Sequence, residues 1–331
     1  MSKPGRVLGL LVLALVLGGE ALASTSLFYL EGQAVAGYSS GRDKIIFYSR
    51  DPLDVMQKPS LGFDYVLRLS GATRDWAVAA FQARLAWDAE GRGKVEPQVY
   101  NAYLKFKTRA GDVWLGHNRT ELGMSSYFDS HALLLGTLAM DGFGFDRDWG
   151  LGLKKDFAWG GLGLALTTGS GLPLVFRGNY LVSGRVSWGV LERDNSTVGF
   201  SAAGGRTLET MGWHFLSNDP RGFAMAGLDG ALLWNNLENR VEVMAGERDG
   251  RGAVALFWRT GINLFEEGRL KLEVQPAFWK TGDESSFRLS AGATFLASSD
   301  LTLRAMVERD PGGRDIRYVF QVYYYDRIRF R

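Results

Sequence analysis

From about residue 27 to the C-terminus, apolar and polar side chains alternate with a period of two, in segments of roughly 9 to 13 residues. In the stretch ending at Trp279, Leu270, Leu272, Val274, Pro276 and Phe278 share one face and Lys271, Glu273 and Gln275 the other. Leu301, Leu303, Ala305 and Val307 oppose Thr302, Arg304 and Glu308 in the same way, and Ile316, Tyr318, Phe320, Val322 and Tyr324 oppose Arg317 and Gln321. Tyr180, Val182, Val186, Trp188 and Val190 oppose Ser183, Arg185 and Ser187. A helix would let these faces drift, whereas a strand keeps them apart.

The alternation places strands near 27–38, 60–70, 75–88, 97–108, 112–119, 146–156, 159–168, 178–191, 195–205, 222–233, 237–247, 251–264, 269–280, 285–297, 300–309 and 315–327. Every second connection is a tight polar turn, among them Gly71-Ala72-Thr73-Arg74, Ala110-Gly111, Asn235-Asn236 and Ser298-Ser299-Asp300, and the others run from short to very long. Outward apolar rows with no second sheet to cover them, joined by alternating short and long connections, predict a transmembrane antiparallel up-and-down β-barrel of about 16 strands. Lys44 to Ser49 is a further candidate strand, and 18 strands is the alternative count. Trp76, Trp87, Trp149, Trp188, Trp234 and Trp258 fall near segment ends, as an interfacial girdle requires.

The first residues predict export. Lys3 and Arg6 precede an apolar run from Val7 to Gly19, and Ala21-Leu22-Ala23 supplies the small-x-small cleavage pattern. That run is shorter than the ~20 residues a spanning helix needs. A signal peptide is therefore expected over 1–23, with a single barrel domain over 24–331 and the cell outer membrane as destination. Cysteine is absent, which excludes a disulfide framework and a lipoprotein anchor. The net charge of +2 falls close to neutral without Lys3, Arg6 and Glu20, so charge gives no case for a nucleic-acid partner.

The connection from Arg119 to Phe145 carries Leu133, Leu134, Leu135, Leu138 and Met140, a poor composition for a loop left in water. It is expected to fold inward onto the barrel wall. In this respect the chain resembles the general bacterial porins, 16-stranded barrels whose third outer loop bends into the lumen. The resemblance lies in strand rhythm and loop position. The Pro-Glu-Phe-Gly-Gly motif of that loop is missing, and the chain ends Phe330-Arg331 rather than on phenylalanine.

The resemblance implies a constriction in which basic wall residues face acids on the loop. By facing, the matching wall positions are Arg68, Arg84, Lys105 and Lys107, and the loop offers Glu121, Asp129 and Asp141. Opposed charges in a narrow lumen create a transverse field that sets ion preference. Inward bases also include Lys154, Arg185, Arg240, Arg259, Lys271, Arg288, Arg304 and Arg317, against Asp229, Glu242, Glu273 and Glu308, which leads to the expectation of a mild anion preference. Tyr103, Tyr323, Tyr325 and Trp279 face inward on dispersed strands.

Catalytic and metal chemistry find little support. The histidines are His117, His131 and His214, none paired at metal-ligand spacing, and His117 near Ser125 and Ser126 is better read as a residue at a strand–loop junction. Thr168-Gly169-Ser170-Gly171 lacks the lysine end of a phosphate loop. No cofactor is expected. Three function classes remain: a passive channel for small hydrophilic solutes or ions, a scaffold barrel sheathing a partner protein, and an outer-membrane hydrolase. Membrane lipid and lipopolysaccharide are the expected surroundings. The small outward row Ala77, Ala79 and Ala83 raises a homotrimer as a further expectation.

Overall fold

The computed structural model describes residues 23–54, 57–71, 74–90, 93–129 and 133–328; the expected leader falls outside them except for Ala23, as does His131. Sixteen long strands follow one another: β1 (Ala23–Ser39), β2 (Ser60–Ser70), β3 (Asp75–Asp88), β4 (Lys94–Lys107), β5 (Asp112–Arg119), β6 (Arg147–Phe157), β7 (Gly160–Thr167), β8 (Tyr180–Trp188), β9 (Ser196–Thr207), β10 (Arg221–Trp234), β11 (Leu237–Arg248), β12 (Arg251–Leu264), β13 (Leu270–Thr281), β14 (Glu284–Leu296), β15 (Leu301–Arg309) and β16 (Ile316–Ile328). Each pairs antiparallel with the next, and β16 closes on β1 with Ala34 opposite Val322, so the sheet is a closed barrel. Among the described residues no helix is long and apolar enough to cross a membrane.

The candidate strand at Lys44 proves to be three residues, Lys44–Ile46, folded back on Gly37 to Ser39 at the long-loop end. It adds an edge to the mouth without spanning the wall, and the spanning count is sixteen. A second small addition is a hairpin within residues 208–220, pairing Thr210–Met211 with His214–Phe215.

The burial pattern is inside out relative to a soluble protein. On β13, Val274 is 46% exposed while its neighbour Gln275 is fully buried. Leu164, Trp188, Phe200, Leu228, Trp258 and Phe320 extend the exposed apolar belt around the barrel, and Arg84, Arg288, Glu308 and Gln321 are buried inside it. Outward apolar rows suit hydrocarbon, and inward polar groups satisfy one another in the lumen.

Two local features break the regularity of the wall. The β3–β4 register shifts between Gln82, opposite Asn101, and Ala83, opposite Val99, so Tyr100 bulges out of the ladder. The wall is also uneven in height: β5 and β7 have 8 residues and β8 has 9, while β10 and β12 have 14.

Candidate functional site

The described residues between β5 and β6, 120–129 and 133–146, enter the barrel. Their apolar residues have a matching surface there, since the inner wall carries Phe223, Met225, Met244, Ala255 and Phe257, against which Leu122, Met124, Leu138 and Phe143 are buried. Leu134 and Leu135 pack in a second cluster with Val35, Met306 and Val319.

The polar part of the loop is bonded to wall residues near mid-strand. The Gly123 amide donates to Ser201 Oγ at 3.0 Å and the Met124 amide to Glu242 Oε1 at 2.8 Å. Arg259 donates to the carbonyls of Leu135 and Gly136, and Gln275 to that of Gly136 at 2.9 Å. Asp141 sits between Arg50 and Arg288, 2.7 Å from each, and is nearly fully buried. Burial raises the Asp141 carboxyl, but the two guanidiniums outweigh it and hold the group below its ordinary value. The loop thus spans the lumen at mid-height, anchored on β9, β11, β12, β13 and β14.

The remaining space includes an outer cavity of about 510 Å³ at the long-loop end and an inner cavity of about 240 Å³. Of the described lining residues, Arg147 alone belongs to both. Its guanidinium carbon lies 3.5 Å from the centroid of the Tyr100 ring, its Nε donates to Asn101 Oδ1 at 3.0 Å, and it is ion-paired with Asp146. Asp129 lies 3.5 Å from Arg147 and 2.6 Å from Arg119, and accepts from the Tyr100 hydroxyl at 3.2 Å. Two arginines, counting Arg147 itself, two carboxylates and a tyrosine therefore cluster at the residue that both cavities share.

The structure separates the seven residues singled out from sequence. Lys105, Glu121 and Asp129 line the inner cavity together, with Lys105 3.4 Å from Asp112. Glu121 is buried against Gly163, and burial pushes its carboxyl up to about 7 despite Lys154, Arg185 and Arg119 nearby. Arg84 is enclosed in the wall, 2.8 Å from Glu31 and hydrogen-bonded to Gln98. Arg68 is exposed two residues before the end of β2, and Lys107 ends β4 with its ammonium 3.9 Å from Asp75, so both lie at the short-turn rim. Asp141 meets Arg50 and Arg288 instead of any of the four wall bases.

Arg50, Arg119, Arg147, Asp146 and Tyr100 are not identified by the sequence pattern. Strand alternation assigns facing only within a regular ladder, and these residues lie in a loop, at strand ends or in a bulge.

Other candidates have local explanations. His117 Nδ1 lies 3.0 Å from the Tyr100 carbonyl with its ring against Trp149, and the Ser126 hydroxyl donates to the Gly123 carbonyl. The glycine-rich stretch wraps the chain's own carboxylate: Asp148 accepts from the amides of Gly169, Ser170 and Gly171 and from the Thr168 hydroxyl. Tyr325, distant from β1 in sequence, stacks on Tyr29 through barrel closure, and Tyr323 stacks on Tyr325.

No protein-family model matches the chain, and no curated protein matches it. Solved structures do. An anion-selective porin from Comamonas acidovorans superimposes with a TM-score of 0.64 at 9% identity, covering 92% of this chain and 100% of that one. OmpF of Salmonella typhi, in complex with daunomycin, gives 0.64 at 12% identity over 92% and 97%. A loop L8 deletion mutant of OmpT, an outer membrane protein of Vibrio cholerae, gives 0.61 at 14% identity over 92% and 100%. At these identities the likeness is one of fold, and the chain has the porin-like barrel fold.

Proposed function

We propose that this chain is a passive diffusion channel for small hydrophilic solutes or ions in a bacterial outer membrane, with a mild preference for anions. The observation that supports the reading is the lumen itself, in which two cavities share the Arg147 side chain, taken here as the neck between them, beneath a loop bonded to the wall on its far side. Such a loop leaves no room for a protein passenger, which disfavours a sheath. Solutes would be sized by the loop and sorted by the charges around the neck.

Pairing supports the anion preference more than the raw count of inward bases does. Arg185 is neutralised by Asp229, Arg240 by Glu238, and Arg317 by Glu308. Among the described residues no carboxylate lies within 4.0 Å of Lys154, Arg259 or Arg304, and these inward bases without an ion pair support the anion reading. A homotrimer belongs to the same proposal. Ala77 and Ala79 lie between Leu67 and Leu69 on one side and Leu104 and Phe106 on the other, and Ala83 between Phe63 and Val99, a small-residue row that crosslinking in native membranes would test as an interface.

The deciding experiment is single-channel recording of the folded mature chain in a planar bilayer under a salt gradient. Discrete steps with a reversal potential displaced toward the anion value are expected. A folded barrel that passes no current would overturn the reading.

A further inference from the structure

Residues 168–179, joining β7 to β8 at the long-loop end, have an unusual composition for that position. Their one charge is Arg177, and their centre reads Leu172-Pro173-Leu174-Val175-Phe176. Other long-loop connections are charged, as in Asp310 to Asp315 with Asp310, Arg314 and Asp315, and in Arg248-Asp249-Gly250-Arg251. Leu174 is 51% exposed and Phe176 78%, the highest value for a large apolar side chain among the described residues.

This exposure does not come from a loosely held segment. Asp148 gathers the base of the loop through the Gly169, Ser170 and Gly171 amides, and Trp149 Nε1 donates to the Leu172 carbonyl at 2.8 Å. Asn179 closes the other end, donating to the Thr168 and Val175 carbonyls and accepting from the Arg177 amide. A pinned base thus presents an apolar tip.

The wall below supplies the reason. β7 has 8 residues, which at ~3.3 Å per residue and a tilt near 45° rise only about 19 Å. The apolar band of a bacterial barrel is about 25 Å tall. The outward faces of β7 and β8 are exposed and apolar right up to the loop, through Leu162, Leu164, Leu166, Tyr180 and Val182. Leu174 and Phe176 are exposed in the connection that follows, just where the strands stop short.

We propose that the loop tip carrying Leu174 and Phe176 is a lipid-contacting element that inserts into the outer leaflet and restores the apolar height missing from β7 and β8. The inference rests on the reading that the barrel spans the outer membrane. Arg177, exposed and stacked 4.9 Å from the Phe215 ring, stands next to the apolar run, placed to meet anionic headgroups at the leaflet surface.

The absence of cysteine makes the test direct. Single cysteines at Phe176→Cys, Leu174→Cys, Leu164→Cys and Gly312→Cys are spin-labelled in the full barrel, folded into bilayers containing lipopolysaccharide. Collisions with oxygen, which partitions into lipid, are compared with those of a water-soluble nickel chelate. Labels at 176 and 174 are expected to be open to oxygen and shielded from nickel, as at 164, while the label at 312 is open to nickel. Nickel access at both 176 and 174, with 164 lipid-like, overturns the inference. Shielding from both reagents with spin–spin broadening would show a second copy covering the loop and would overturn it too. Nickel access at 164 would instead remove the membrane-spanning reading, and the inference with it.

Discussion

The Arg147 guanidinium stacks on the ring of Tyr100, the residue that the β3–β4 bulge turns out of the ladder. A bulge re-aims a side chain out of the regular alternation. Here it delivers an aromatic face against which a cation lining both cavities is held, and the Tyr100 hydroxyl then bonds both Asp129 and Asp146. One backbone irregularity thus positions an arginine and two carboxylates around the neck.

Replacing that arginine tests the neck. In Arg147→Gln the charge between Asp129 and Asp146 is lost while the bond to Asn101 can persist. The reversal potential is expected to move toward cations, whereas Arg147→Lys keeps most of the anion preference. Because Arg147 is almost fully buried, leaving its carboxylate partner without the cation is also expected to cost about 3–5 kcal/mol in unfolding experiments. An unchanged reversal potential in Arg147→Gln would place the selectivity determinant elsewhere.

Glu121 gives a pH dependence. Its carboxyl is raised to about 7 from an ordinary value of 4.5, chiefly by burial. Between those values the unfolded chain ionises this residue and the folded one does not, so stability falls as pH rises through the interval, by roughly 3 kcal/mol in total. Above about pH 7 the inner cavity gains a negative charge and its preference should move toward cations. Reversal potentials and denaturant midpoints measured from about pH 4 to 8 should show both trends in the native chain. Glu121→Gln should flatten them, and an equal slope in that variant would exclude Glu121 as the titrating group.

The strand pattern is legible in the sequence because lipid outside and polar lumen inside impose a strict period of two, and each of the sixteen strands lies where the alternation places it, with ends displaced by only a few residues. The inward loop is legible from Leu134, Leu135 and Leu138, which have no place in water. The height of a side chain in the barrel is not. Arg68 and Lys107 share the facing of Arg84, yet facing carries no information about distance from the rim, and they stand at the short-turn end. The Arg50–Asp141–Arg288 cluster joins three segments far apart in sequence, and only the packed loop reveals it.

Gly123 tests how the loop meets the wall. Its φ of +54° lies in the left-handed region, and an added Cβ would collide with Glu242 Oε1. Gly123→Ala combines a backbone cost of about 1–2 kcal/mol with loss of the Met124–Glu242 bond. Faster protease cleavage within residues 120–146 and noisier single-channel current are expected. Cleavage as slow as in the native chain would show that the first turn of the loop contributes little to its anchoring.

Asp141 is the more demanding test, because both of its partners are cations buried in the same place. Removing it in Asp141→Ala leaves Arg50 and Arg288 facing each other, with Glu308 3.6 Å from Arg288 as a remaining counter-charge. The loss of one member of such a cluster typically costs about 3–5 kcal/mol. The sign of the pH effect opposes that of Glu121: the depressed carboxyl contributes stability that is complete above its unfolded value and lost as pH falls through its lower folded value. Asp141→Asn should therefore abolish the acid-side loss of loop protection seen in the native chain. It should also raise conductance at neutral pH as the loop leaves the wall. If native and Asp141→Asn barrels lose protection together on acidification, the clamp lies in the Gly136 contacts with Arg259 and Gln275, and Asp141 is not the group that holds the loop.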